Sequence, residues 1–290
     1  MTLAQCRALC AAVTENEPMS ARTTLKIGGP AELFALPCRE EEMTALLRAA
    51  PDAAVIGNGS NLLVGDRGIR GLVICTAALR QITREGDCLV LAAGAPLPRA
   101  ANFALECGLA GLEFCGGIPG TAGGALCMNA GAYDGEMADV VVSSRYAEGG
   151  QTRAETDHAF AYRRSVYTDN PRRAVLSVTL RLAEGDKAAI GAKMESIAAK
   201  RRERQPLDRP SAGSAFRRPG SRAAAELIES CGLKGAAVGG AQVSEKHAGF
   251  IINRGGATCE DVKRLLALVG ETVLRETGVA LEPEIKMMGE

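Results

Sequence analysis

Between Glu113 and Glu136 the chain reads EFCGGIPGTAGGALCMNAGAYDGE, and no other stretch restricts the possible folds as strongly. Gly116, Gly117, Gly120, Gly123 and Gly124, interrupted by Pro119, leave the main chain almost bare of side chains. Glycine admits positive φ and lets N–H groups approach a ligand closely, so such a run can form a concavity for an anion. A pyrophosphate is the natural guest. Taken alone, the segment reads equally well as a tight turn. Asn129, Ala130, Gly131, Ala132 and Tyr133 follow directly, extend the small-residue theme and add an amide and a phenol. A simple turn needs far less.

Composition narrows the ligand. The 290 residues suffice for two or three domains, and 47% hydrophobic content fills their cores. Thirty-four Lys and Arg balance 34 Asp and Glu, which removes the broad attraction expected of a nucleic-acid binder. Any anion must therefore be held by local groups. The ten cysteines lie in apolar contexts such as Val73-Ile74-Cys75, where cysteine serves as a small hydrophobe, and we expect a reducing cytoplasm. Cys6 and Cys10 lie one helical turn apart without a paired CxxC or a histidine cluster, so no metal site is expected. The opening MTLAQCRALCAAV places Arg7 inside its apolar run, which fits neither a signal peptide nor a membrane span.

In chain order, periodicity predicts a helix over 3–15, a strand from Arg22 to a Gly28-Gly29-Pro30 turn, and a strand over 33–37. A helix over 40–50 and a buried strand over 53–56 follow, giving a β-α-β opening. That last strand runs into Gly57-Asn58-Gly59-Ser60-Asn61, a second phosphate-cradle pattern. No helix start and acidic partner follow a G-x-G-x-x-G, and no G-x-x-x-x-G-K-[ST] occurs, so neither a Rossmann fingerprint nor a P-loop is present. Strands are expected over 71–75 and 88–93, and a helix over 97–107 closed by Gly108. Antiparallel strands should follow over 140–143, 145–147 and 174–182, then a helix over 186–204 whose basic end (Lys200, Arg201, Arg202, Arg204) reads as a solvated C-terminus. Pro206 and Pro210 mark a domain boundary. Beyond it we expect a helix over 221–229, a strand over 250–253 and a long helix capped by Thr258. A closing strand over 279–288 should carry Glu282 and Glu284 on one face.

Side chains for chemistry are few. There are two histidines: His158 lies in a polar stretch and reads as a surface residue, while His247 reads as structural or functional alike. With so few histidines, neither a histidine triad nor a histidine metal centre is expected. Ser214 within Gly213-Ser214-Ala215-Phe216-Arg217-Arg218 could present a hydroxyl beside an anion, or could be a domain-entry loop.

Taken together and in order, Thr24-Leu25-Lys26-Ile27-Gly28-Gly29-Pro30-Ala31, Gly57-Asn58-Gly59-Ser60-Asn61, Gly117-Ile118-Pro119-Gly120-Thr121, Asn129-Ala130-Gly131-Ala132-Tyr133, Tyr162-Arg163, Gly213-Ser214, Gly232-Leu233-Lys234-Gly235 and Leu281-Glu282-Pro283-Glu284 resemble the UDP-N-acetylenolpyruvoylglucosamine reductases. The resemblance runs from about Ser20 to Gly289. It implies an α+β architecture: an FAD-binding fold of the vanillyl-alcohol oxidase type in two α+β subdomains, residues 1–77 and 78–205, and a C-terminal α+β substrate-binding domain, residues 206–290. It also implies a flavoprotein of peptidoglycan precursor synthesis in which NADPH, through non-covalent FAD, reduces an enolpyruvyl ether to the lactyl ether of UDP-N-acetylmuramate. No histidine sits where a covalent flavin link would be expected.

Carried over residue by residue, the resemblance implies that Ile56, Gly57, Asn58, Gly59, Ser60, Asn61 and Leu62, then Gly116, Gly117, Ile118, Pro119, Gly120, Gly123 and Gly124, and then Asn129, Gly131, Ala132 and Tyr133 bind FAD. Arg163 would stabilise developing negative charge with Glu284 in the same site, and Ser214 would donate the proton. Arg204, Arg218 and Lys234 would hold the substrate diphosphate, although Arg218 stands where many relatives have asparagine. Leu182–Gln205 leaves no room for the tyrosine-bearing insertion of some members, so the chain resembles the shorter subclass with a more open site. The expected partners are a UDP-sugar and no nucleic acid, with no insertion into a membrane, and the expected state is a monomer or weak oligomer in the cytoplasm. Two other readings share the glycine loops: a flavin oxidase or dehydrogenase acting on an alcohol or sugar lactone, and a nucleotide-binding module without turnover.

Overall fold

The computed structural model describes residues 1–290. The chain divides into two compact units, each assembled from three segments: Met1–Glu15, Leu33–Asn58 and Gly71–Lys200 in the first, and Asn16–Glu32, Gly59–Arg70 and Arg201–Glu290 in the second. Helices and strands are interleaved throughout, and the α+β class expected from the sequence is what the structure has.

A four-stranded sheet has the order Val13–Pro18, Pro30–Ala35, Ile69–Cys75, Ala54–Ile56, with the last pair parallel. Against it in the first unit packs the helix Glu40–Ala49, which buries Met43, Leu46 and Leu47. Three glutamates in its first turn and Arg48 in its last suit the helix dipole. A larger sheet of five strands runs in the order Gln151–Glu155, Val141–Glu148, Ala174–Arg181, Cys88–Ala92, Ile82–Glu85. It is antiparallel throughout. Leu89, Leu91, Val178 and Leu180 enter one core with Leu97, Ala101 and Ala104 of the helix Leu97–Cys107. The glycine stretch lies on the same core through Phe114, Cys115, Ala122, Ala125 and Leu126.

The second unit has its own core, built where Ile251, Val243 and Ala241 meet Val262, Leu265, Leu266, Val269 and Val273 of the helix Cys259–Thr277. That helix starts in a capping box between Thr258 and Asp261 and ends at Gly278 in the left-handed region. Its sheet has the order Ser211–Ser214, Phe250–Asn253, Ala241–Val243, Ala237–Val238.

Four expectations are corrected. The first helix stops at Leu9, and Val13–Pro18 is a strand: Cys10 turns extended, and the β-branched pair Val13 and Thr14 suits a pleated edge better than a helix end. Residues 22–29 are a turn rather than a strand. Thr23 Oγ1 donates to the Ile27 carbonyl (2.9 Å) and accepts from its N–H (3.3 Å), closing a local loop, with Lys26 at φ 58°. Leu25 and Ile27 are buried there all the same. The closing strand is only Lys286–Met288, paired in parallel with Leu62–Val64. Upstream of it the chain is irregular, and Glu282 and Glu284 do not share a face: Glu284 is buried, whereas Glu282 is exposed and ion-paired with Arg217 at 2.9 Å. The two strands expected over 140–147 are one strand with bulges at Val141/Ser143 and Arg145/Tyr146.

Candidate functional site

In the first unit the two glycine segments are laced together. The strand Ala54–Ile56 delivers Gly57 and Asn58, and Asn58 Nδ2 donates to the Pro119 carbonyl at 2.6 Å. A Cβ on residue 57 would run into the Thr121 hydroxyl, so glycine is required by the approach of the two loops. The second segment is not a free loop. It begins as a short 3-10 turn, Glu113–Gly117, and passes into a six-residue helix, Ala122–Cys127. Leu97 N–H donates to the Gly120 carbonyl, while Ala122 and Gly123 N–H donate to the carbonyls of Ala95 and Ala93 (3.1, 2.9 and 2.8 Å). Those bonds fix the segment to the start of the helix Leu97–Cys107. They leave the Gly120 and Thr121 amides without a main-chain acceptor.

Thr121 carries the signal that reading the sequence missed. Its residue is buried and its Oγ1 has no hydrogen-bond partner at all. A buried hydroxyl left unpaired costs roughly 1–3 kcal/mol, so its retention at the meeting point of two glycine turns marks a place for an acceptor or donor from outside the chain. Downstream, Gly131–Ala132 and Gly135–Glu136 form a hairpin whose turn residues Tyr133 and Asp134 both have positive φ (51° and 64°). Two positive φ values in a two-residue turn are the type I′ geometry that fits strand twist.

Arg163 occupies a two-residue turn of its own. Ala161 and Arg164 exchange both main-chain hydrogen bonds at 3.1 Å around Tyr162 and Arg163, with Arg163 at φ 56° and its guanidinium 5.1 Å from the Tyr162 ring centroid. A bulky residue at positive φ is strained, and such strain is kept where the surroundings over-determine it. Here two ties run to the glycine segment. Asn129 Nδ2 donates to the Ala161 carbonyl at 3.2 Å while its Oδ1 accepts from Ala138 N–H at 3.0 Å, and Ser165 Oγ donates to the Cys127 carbonyl at 2.9 Å. Arg164 is spent on Asp169 through paired contacts of 2.9 Å. His158, expected at the surface, is buried. Its ring meets Ser144 Oγ at 2.9 Å and stacks on Phe160, and burial holds its pKa below the ordinary histidine value. The polar residues around it in sequence misled, because they turn outward while the ring packs inward.

In the second unit Ser214 ends the strand Ser211–Ser214 at a register shift against Phe250–Asn253, next to Gly213 at φ 78°. Such a bulge re-aims the side chain that follows it. Ser214 is exposed. The next residues pair with the segment that bears Glu284: Glu284 N–H donates to the Ala215 carbonyl at 2.8 Å and Arg217 N–H to the Glu282 carbonyl at 2.9 Å, with Phe216 bridged to Pro283. The segment that follows Ser214 therefore runs beside the one that bears Glu284. Asn61 Nδ2 donates to the Glu284 carbonyl at 3.2 Å, and Asn61's own carbonyl accepts from Lys286 N–H at 3.0 Å. Gly59 accepts from Thr24 N–H at 3.2 Å. Arg204, Arg218 and Lys234 are all exposed, and Lys234 pairs with Glu229. Burial also lowers the pKa of His247, whose Nδ1 accepts from Gly249 N–H at 3.1 Å. Leu182–Gln205 is occupied by a two-residue strand and the helix Lys187–Arg204.

Comparison with known proteins bears on both units. A sequence profile described as the C-terminal domain of UDP-N-acetylenolpyruvoylglucosamine reductase matches residues 205–288, and one described as an FAD binding domain matches residues 31–152. The UDP-N-acetylenolpyruvoylglucosamine reductase of Caldanaerobacter subterraneus subsp. tengcongensis is 44% identical over 95% of this chain and 93% of its own length. That of Latilactobacillus sakei subsp. sakei is 45% identical over 96% and 93%. The crystal structure of the Thermus caldophilus UDP-N-acetylenolpyruvylglucosamine reductase superposes with a TM-score of 0.83 at 35% identity, covering 93% of this chain and 97% of that one. With 44–45% identity to reductases of that name along nearly the full length and a matching solved fold, the chain belongs to the UDP-N-acetylenolpyruvoylglucosamine reductase family.

Proposed function

We propose that this chain is an FAD-dependent, NADPH-using reductase that converts UDP-N-acetyl-3-O-(1-carboxyvinyl)-glucosamine to UDP-N-acetylmuramate for peptidoglycan precursor synthesis. The observation that carries the reading is identity of 44% sustained over 95% of the chain to a protein of that name. It extends across both the FAD-binding and the C-terminal regions, so one reaction is served by the whole chain.

The residues present fit FAD. The unpartnered Thr121 hydroxyl, the main-chain amides of Gly120 and Thr121, and the bare backbone at Gly57 are what a pyrophosphate-bearing dinucleotide requires. On this reading residues 1–205 hold the cofactor, with Ile56–Leu62, Gly116–Gly124 and Asn129–Tyr133 as its contacts, and residues 206–290 serve the substrate. Bound FAD supplies hydride transfer between NADPH and the enolpyruvyl double bond.

What remains is done by the protein's own groups. Arg163, presented by a strained turn, offers a guanidinium whose position is set before charge develops on the substrate carboxylate, and preorganised charge of that kind stabilises a transition state without reorganisation. Ser214 Oγ gives a proton to the carbon beside that carboxylate, a step a weak acid can perform because the enolate it meets is strongly basic. Glu284, buried on the segment that pairs with Ala215–Arg217, positions the same end of the substrate. Exposed Arg204, Arg218 and Lys234 take the diphosphate. The setting we read is cytoplasmic and the state a monomer or weak oligomer, with a UDP-sugar and no nucleic acid as partner. No helix is long and apolar enough to cross a membrane.

The test separates the two half-reactions. Ser214→Ala should leave flavin reduction by NADPH nearly unchanged and slow flavin reoxidation by the enolpyruvyl sugar about 10²–10⁴-fold in stopped-flow absorbance. Equal slowing of both removes the proton-donor role.

A further inference from the structure

Arg163 stands at the tip of an excursion of the chain that opens at His158 and closes at Val166, where Val166 N–H donates to the His158 carbonyl at 2.8 Å. His158 is thus the base of the excursion through its main chain. Its side chain faces the other way, into the protein. There Ser144 Oγ, on the strand Val141–Glu148, lies 2.9 Å from His158 Nε2 and 2.6 Å from the Tyr167 hydroxyl. All three residues are buried, the histidine ring lies on Phe160 at 5.1 Å, and Tyr167 is edge-on to Tyr146 at 5.8 Å. Glu155 and Asp157, one residue to either side of the turn before His158, cap that turn: Glu155 Oε1 accepts from the N–H of Thr156 and Asp157, and Asp157 Oδ1 from Ala159 N–H.

A buried polar chain of this kind specifies one arrangement, because breaking a single link leaves the others unpaired at high cost. Nothing in the reaction as described above uses Ser144, His158 or Tyr167. What they hold in common is the foot of the excursion, while Asn129 and Ser165 hold its flank. At the tip, Arg164 is ion-paired with Asp169, and the Arg163 guanidinium lies over the Tyr162 ring.

We propose that His158 is a positioning residue for Arg163: seated on Ser144 and Tyr167, it fixes the foot of the 158–166 excursion and so sets where the guanidinium at the tip is presented to the substrate carboxylate. The proposal rests on the role of Arg163 given above. A displacement of a charged group by about 1 Å can cost about 10²-fold in rate, which sets the size of effect to look for.

The experiment uses the holoenzyme and three readouts. His158→Phe keeps the ring stack and removes the hydrogen bond. It should slow flavin reoxidation by the enolpyruvyl sugar about tenfold or more while flavin reduction by NADPH stays within about twofold, and His158→Gln, which keeps a polar end, should recover most of the loss. In an Arg163→Lys background, where the fork is already gone, His158→Phe should add less than about threefold, since two changes acting through one group do not multiply. Trypsin should cleave after Arg163 and Arg164 faster in His158→Phe than in the parent. If His158→Phe does not fold, Ser144→Ala removes the same hydrogen bond and carries the same expectations. A folded variant with unchanged reoxidation, equal slowing of both half-reactions, or losses that multiply in the Arg163→Lys background would overturn the proposal. A parent enzyme that the enolpyruvyl sugar fails to reoxidise would instead overturn the reading of the function on which it rests.

Discussion

Thr121 shows how one residue can be kept against its own stability. Its hydroxyl is buried and unpaired in the protein alone, and Gly57 opposite has no Cβ to exclude a third party. Thr121→Val keeps the shape and removes the polar atom. We expect the flavin-free protein to melt at the same temperature or higher, by about 1–3 kcal/mol of stability at most, while FAD is held less tightly in equilibrium dialysis. Lower apo stability with unchanged FAD affinity would mean that the hydroxyl serves the fold. At this scale the sequence was partly legible. Glycine-rich backbone announces itself because only glycine lacks a side chain, so both turns around Thr121 were visible. Thr121 itself was not, since burial and an absent partner are properties of three-dimensional surroundings. His158 misled for the complementary reason: the polar residues beside it describe the outward face of its loop and say nothing of where the ring goes.

The elements follow their local signals where those signals are strong. Thr258 and Asp261 specified the start of the helix Cys259–Thr277, and Gly278 its end. Residues 22–29 did not follow theirs, because Thr23 satisfies the backbone of Ile27 that a neighbouring strand would have taken, and the apolar Leu25 and Ile27 are buried from within a turn. The segment 279–285 looked like strand by composition, yet Pro283 has no N–H for a ladder and only a single bridge forms. Both histidines sit in such irregular segments, and each is held neutral chiefly by burial. His158 faces Glu155, Asp157 and Tyr167, and His247 faces Lys234 and Glu229. The consequence for stability has a definite sign. With both folded values below the ordinary 6.5, the unfolded chain takes up protons first as pH falls, so stability is complete above that value and declines below it. Carboxylates with lowered values, Glu42, Asp169 and Asp261, add a further loss only in more acid solution. The urea midpoint should therefore drop between about pH 7 and pH 5.5, ahead of the carboxylate range, and His158→Gln should flatten that drop. A midpoint constant over this interval would show that the histidines titrate alike in both states.

At the scale of the molecule, each unit is threaded from three segments of chain, so the two compact units cannot be cut apart at one bond. The glycine turn at residues 57–61 is shared out at Asn58 and Gly59 between the two units. Asn61 in turn is bonded to the Glu284 and Lys286 segment of the second unit, which links a residue read as cofactor contact to the segment bearing a residue read as catalytic. Such non-local pairing is invisible to any window along the sequence, and only the resemblance to a whole family put these residues in one account. The central claim, that the chain carries electrons from NADPH through FAD to an enolpyruvyl ether, is tested most directly by following the flavin absorbance of the purified holoenzyme without oxygen. NADPH should bleach it, and the enolpyruvyl sugar added next should restore the colour with one UDP-N-acetylmuramate formed per flavin. Flavin that stays bleached after the sugar is added, or protein that cannot be loaded with FAD, would contradict it.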